Sequence, residues 1–257
     1  MMKSYIWSLP TRVFHWLFAL LILLAFLTDD DHLLDYHAVI GYSLLIILLF
    51  RLVWGIVGPK YSKFKDFNLS KEALKKFVKN PIKADHSNAG HNPAASYLMI
   101  TMIVVAILVI ATGALAFGIQ EGKGIFSFLN DSFFKKMKLF KEIHETLANF
   151  FIFLIVVHLG GVIMDKLFHP QYETLKSIFT GYKHLDEDKS IKTTIFQKAV
   201  AFIFLIALVA FLVYNLINPK NVLIASSYEP VDYSKQNEVF VSECGSCHTL
   251  YPSQSIA

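Results

Sequence analysis

The sequence predicts an all-α integral membrane protein, built as a bundle of four transmembrane helices with a fifth transmembrane helix appended. Three observations carry that prediction. Of the 257 residues, 54% are hydrophobic and the mean hydropathy is +0.48, whereas soluble domains are about 45–50% apolar. Five apolar segments, at 13–28, 37–57, 95–117, 146–164 and 195–217, each approach the roughly 20 residues that cross a bilayer. Four histidines, His15, His37, His144 and His158, lie within or at the ends of these segments. Ionisable side chains in such places need partners and mark functional sites.

The first segment is the shortest. Lys3 and Arg12 precede it, as in a signal peptide, but it ends in Thr28-Asp29-Asp30-Asp31 with no small-residue cleavage site, so a retained helix is expected. The second segment closes near Arg51. After it, a long connection includes residues 69–78, where Ser70 is a candidate N-cap and apolar residues recur at helical spacing. That pattern predicts an amphipathic helix on the membrane surface. The third segment follows Gly90-His91-Asn92-Pro93, the fourth holds His144 and His158, and the fifth ends at Asn218-Pro219. The remainder reads as an exposed tail.

Lysine and arginine placement sets the expected orientation. With the N-terminus inside, sixteen basic residues flank the spans on the cytoplasmic side against seven on the other. The cluster Lys135, Lys136, Lys138 and Lys141 pulls mildly the other way. The C-terminus is then periplasmic and the location is a bacterial inner membrane. The net charge of +4 is small, so no nucleic-acid partner is expected.

Residues 142–164 are the centre of the pattern. His144 and His158 are 14 residues apart, which returns to within about 40° of one helical face and separates them by roughly 21 Å along the axis. Following the spans back and forth gives His37 the depth of His144, and His15 the depth of His158. Two bis-histidine sites result, one per leaflet. An iron held by two neutral imidazoles in a haem is six-coordinate and passes electrons rather than binding substrate. The plainer alternative is that each histidine hydrogen-bonds a neighbouring helix; four at matching depths favour ligation. Arg12 stands one turn before His15, and Arg51 lies 14 residues after His37 on the same face. Either could pair with haem propionates, and either could equally be a positive-inside anchor. Gly41, Gly160 and Gly161 could leave room for a porphyrin face or for close helix packing. His32, His86 and His184 read as solvated loop residues, and His91 and His169 as weak candidates.

The motifs resemble a known family. Trp7-Ser8-Leu9-Pro10-Thr11-Arg12-Val13-Phe14-His15-Trp16, then His37-Ala38-Val39-Ile40-Gly41-Tyr42, Arg51-Leu52-Val53-Trp54-Gly55, Gly90-His91-Asn92-Pro93, and His144-Glu145 with His158 are similar to the bacterial di-haem cytochromes b-561. That family also supplies cytochrome b subunits of nickel–iron hydrogenases. The resemblance covers roughly residues 5–182. It implies that His15, His37, His144 and His158 ligate two b haems and that quinone is the membrane partner.

The tail carries both cysteines, in Cys244-Gly245-Ser246-Cys247-His248. A C-x-x-C-H motif marks covalent c-type haem, with His248 as axial ligand; zinc half-sites and chance matches share the pattern. Residues 240–252 resemble the start of a small di-haem cytochrome c domain, and the nine residues after His248 are too few to enclose a haem. The expected organisation is therefore a di-haem cytochrome b domain at 1–182, a fifth transmembrane helix with its preceding loop at 183–218, and an incomplete periplasmic c-haem tail at 219–257. The leading function is electron transfer between quinone and a periplasmic cytochrome c or redox enzyme. Two rivals are a membrane anchor for a hydrogenase-like complex and a periplasm-facing superoxide:quinone oxidoreductase. No acid–base pair, nucleophile or phosphate loop suggests hydrolytic or transferase chemistry.

Overall fold

The computed structural model describes residues 2–80, 89–130, 133, 135 and 138–218. The chain opens with strand β1 (Met2–Tyr5) and enters helix α1 (Leu9–Leu27). It returns through α2 (Leu34–Val57) to the surface helix α3 (Lys71–Lys79). Helix α4 (Pro93–Glu121) and helix α5 (Leu139–Phe168) complete a four-helix bundle. The short helix α6 (Thr174–Thr180) and strand β2 (Tyr182–Leu185) then lead into α7 (Ile195–Ile217). Among the described residues, five helices are long and apolar enough to cross a membrane: α1, α2, α4, α5 and α7. The protein is an all-α integral membrane protein; among the described residues the only β-structure is one two-stranded sheet.

Local chemistry explains the helix ends. Helix α1 begins at Leu9, four residues earlier than the apolar run, because Pro10 stands in its first turn, where a missing N–H costs nothing. Asn92 caps α4 by accepting from the Ala95 N–H, and Pro93 follows it in the first turn. Gly122 closes the same helix at φ 64°, a left-handed conformation that glycine adopts without strain. Thr194 and Gln197 form a reciprocal capping box on α7. The expected surface helix is present as α3, with Ser70 accepting from the Ala73 N–H. Tyr97 of α4 donates to the Leu69 carbonyl, 2.7 Å, and pins the approach to α3.

Two apolar clusters hold the bundle. Leu48, Val105, Ala106, Phe151 and Leu154 meet at the centre of α2, α4 and α5, with Phe18 and Ile22 of α1 packed against them. Leu21, Leu44, Ile47 and Leu208 seat α7 against α1 and α2. The opposite faces stay apolar and exposed, for example Ile56, Val156, Ile163 and Phe202, as a lipid environment requires.

The two-stranded sheet was not anticipated from the sequence. Strand β1 pairs antiparallel with β2, Met2 opposite Leu185 and Tyr5 opposite Tyr182. The sheet lies at the end of the bundle where α1 begins and α5 ends, and runs across the expected boundary at 182. Ile6, Trp7, Tyr61, Ala89, Leu185 and Ile191 form a separate cluster under it, and Trp7 Nε1 donates to Ser177 Oγ at 3.1 Å. His184, expected as a solvated loop residue, is instead part of β2, with Nδ1 3.3 Å from Glu173 Oε2.

Candidate functional site

The bundle brings the four membrane histidines together as two pairs. His15 of α1 faces His158 of α5 with ring centres 6.3 Å apart and planes at 51°. His37 of α2 faces His144 of α5 with centres 6.1 Å apart and planes at 89°. The first pair is nearer the N-terminal end of the bundle, the second nearer the opposite end, as the alternating direction of the spans requires.

These separations have a chemical meaning. Imidazoles on opposite sides of one metal ion, each bonded at about 2 Å and each with a ring radius of about 1.15 Å, have centres about 6.3 Å apart. Both pairs match that spacing. Among the described residues no group of three or more His, Cys, Asp or Glu side chains could hold a metal ion. Each pair offers two imidazoles, and a metal ion between them would have to bring its other ligands with it. A porphyrin iron meets that condition.

The other ring nitrogens are held in the way metal-bound histidines are held. His37 Nδ1 lies 2.9 Å from the Ala25 carbonyl oxygen, and His144 Nδ1 lies 2.9 Å from the Val109 carbonyl oxygen. An Nδ1–H donated to a carbonyl fixes the tautomer and leaves Nε2 as the lone-pair nitrogen. The Ala25 carbonyl is in reach because it sits in the last turn of α1. Gly113 of α4 gives His144 its room, since a Cβ at this position would come within 2.8 Å of the imidazole Cε1. A Cβ added at Gly41, Gly160 or Gly161 would meet no atom within 4 Å, which keeps a flat group beside His37 and His158 sterically possible. In the pair nearer the N-terminus, His15 Nδ1 is buried with no hydrogen-bond partner.

Both arginines lie at the N-terminal end. Arg51 is only 9% exposed; its Nη1 donates to the Ser62 carbonyl, 3.2 Å, and its guanidinium lies 4.7 Å from the Phe64 ring centre. Arg12 donates through Nη1 to the Phe179 carbonyl, while its Nε is buried without a partner. The two are linked through side chains: Thr11, next to Arg12, has Oγ1 3.0 Å from Ser62 Oγ, and Trp54 Nε1 donates to the same Thr11 oxygen at 3.0 Å.

His91, a weak ligand candidate from its place before the third span, sits at this same end of the bundle. Its ring packs against Trp7, 4.8 Å between centres, and Phe67, 5.1 Å. Burial, then the charges of Lys183 and Arg51 and the proximity of His158, lowers its pKa to about 3, so it is neutral at physiological pH. His169, the other weak candidate, is buried and lies 3.6 Å from Asp165 Oδ1. Neither joins a histidine pair. His86 and the tail motif Cys244, Cys247 and His248 lie outside the described residues.

The family model of prokaryotic cytochrome b561 matches residues 6–181, about two thirds of the chain. That span contains both histidine pairs and both arginines and stops short of β2 and α7. No curated protein and no solved structure matches the chain.

Proposed function

Because the chain belongs to the prokaryotic cytochrome b561 family, whose work is haem-based electron transfer across a membrane, we propose that it conducts electrons through two b haems stacked in the bundle. His15 and His158 hold the haem nearer the cytoplasm, and His37 and His144 hold the one nearer the periplasm. The observation that carries this reading is the ring separation of 6.3 and 6.1 Å in the two pairs, supported by the carbonyl acceptors behind His37 and His144. A haem held by two imidazoles would supply one-electron transfer. The protein's own share is to hold four imidazoles in place within the hydrocarbon of the bundle. Arg12 and Arg51 serve as cations for haem propionates.

Quinone is the membrane partner in this reading. On the periplasmic side, the fifth helix carries the chain to Cys244, Cys247 and His248, where two thioethers and one imidazole attach a c-type haem that passes electrons on to a soluble cytochrome c or redox enzyme. The C-x-x-C-H motif favours this reading over a simple anchor subunit, because an anchor has no need of its own outgoing carrier. The test is the haem content and reduced-minus-oxidised spectrum of purified protein. His158→Ala and His144→Ala should each lose one of two b haems, and Cys244→Ser should abolish covalent haem staining. Full b-haem content in either histidine variant overturns the ligand assignment.

A further inference from the structure

Resting on the two-haem reading, the structure assigns to Lys183, a residue beyond the family match, the role of third cation in a buried cage for the carboxylates of the cytoplasmic-side haem. Lys183 is 6% exposed and is delivered by β2, where it pairs in register with Ser4. Its Nζ donates to the Gly90 carbonyl, 3.2 Å, and lies 5.6 Å from the Trp7 ring centre. Arg12 and Arg51, as described, also spend their hydrogen bonds on main-chain carbonyls. Lys183 and Arg51, both buried, lie against Trp7 and Phe67 respectively, and the half-buried Arg12 joins them at the same end of the bundle, close to the His15–His158 pair. His91 feels the charges of both Lys183 and Arg51. The carboxylate that acts on Lys183 among the described residues is Asp165, seven residues beyond His158 and hence on the same helical face. Buried charge is tolerated only when it is balanced. Three positive groups and one negative group leave two positive charges, which is the complement of the two carboxylates that a haem carries. Burial draws the Lys183 pKa down to about 8, and the Asp165 carboxylate acts against that shift.

The experiment is a redox titration of the full chain in detergent. A nearby cation favours the reduced haem, so Lys183→Gln should lower the midpoint potential of one b haem, the one lost in His158→Ala, and leave the other unchanged. Lys183→Arg should restore it. Should Lys183→Gln not accumulate, Asp165→Asn tests the same cage with opposite sign and should raise the same potential. Native mass spectrometry counts bound anionic phospholipid in parallel, because a lipid phosphate offers similar oxygens. An unchanged midpoint in these variants, or loss of a phospholipid with Lys183→Gln, overturns the assignment. Absence of b haem from the wild-type protein would instead overturn the two-haem reading beneath it.

Discussion

Gly113 and His144 are in such close register that a single methyl group on the glycine would stand 2.8 Å from the imidazole Cε1 and 3.0 Å from Nδ1. The contact ties α4 to α5 at the level of the second histidine pair. It also explains how His144 reaches the Val109 carbonyl one helical turn away from Gly113.

Gly113→Ala should therefore act only on the haem proposed for the His37–His144 pair. Overpacking of this kind costs about 1–3 kcal/mol, and here the easiest relief is rotation of His144 away from its acceptor. The expected result is loss or a shifted spectrum of one b haem, read by pyridine haemochrome content and low-temperature difference spectra. Two unperturbed haems in the variant would show that the imidazole is placed by something other than this contact.

Lys123 follows α4 and reaches Asp35 at the start of α2, with Nζ–Oδ1 2.9 Å. Its side chain is 24% exposed and that of Asp35 44%, so solvent and salt screen the pair. Lys123→Met should cost about 1 kcal/mol or less, visible as a small drop in melting temperature at low salt that fades as salt rises. A large, salt-insensitive loss would mean that the lysine does more than close this loop.

Acid should weaken the N-terminal end of the bundle. His91 titrates near 3 in the folded chain against 6.5 as a free side chain. Between these values the unfolded state binds a proton that the folded state refuses. This contribution to stability is therefore constant above about pH 6.5 and falls as pH drops toward 3. Thermal unfolding in detergent from pH 7 to pH 4 measures the slope. His91→Phe, which keeps a ring between Trp7 and Phe67, should flatten it; an unchanged slope would assign the acid sensitivity to other groups.

The membrane architecture was legible because it rests on long-range regularities. Hydrocarbon thickness dictates span length, and the alternating direction of the spans dictates which histidines share a depth. His15 with His158 and His37 with His144 follow from counting residues. The surface helix α3 was legible for a similar reason, with Ser70 and the spacing of Leu74, Phe77 and Val78 in a single window. What could not be read depends on contacts between distant residues that have no periodic signature. Strands β1 and β2 have four residues each, too short to show alternation, and they pair across most of the chain. The carbonyls of Ala25 and Val109 are main-chain atoms with no identity in the sequence. Gly113 is one glycine among twelve, and only the position of His144 sets it apart. Lys183 looked like one more positive-inside lysine, whereas the sheet turns it into the bundle.

The strand pairing also imposes an order on assembly. Met2–Tyr5 is made before any of the five spans, yet its hydrogen-bonding partner, Tyr182–Leu185, is made only after four of them. Until then β1 has no ladder, Ile6 and Trp7 lack Leu185 and Ile191 as neighbours, and the bundle stands open at that end. Synthesis of β2 closes it, with Ser4 Oγ donating to the Glu187 carbonyl at 3.3 Å and the Ile191 N–H donating to the Tyr5 carbonyl at 2.8 Å. The sheet is thus a late clasp: whatever must enter between α1 and α5 from that end has the interval before residue 185 in which to do so.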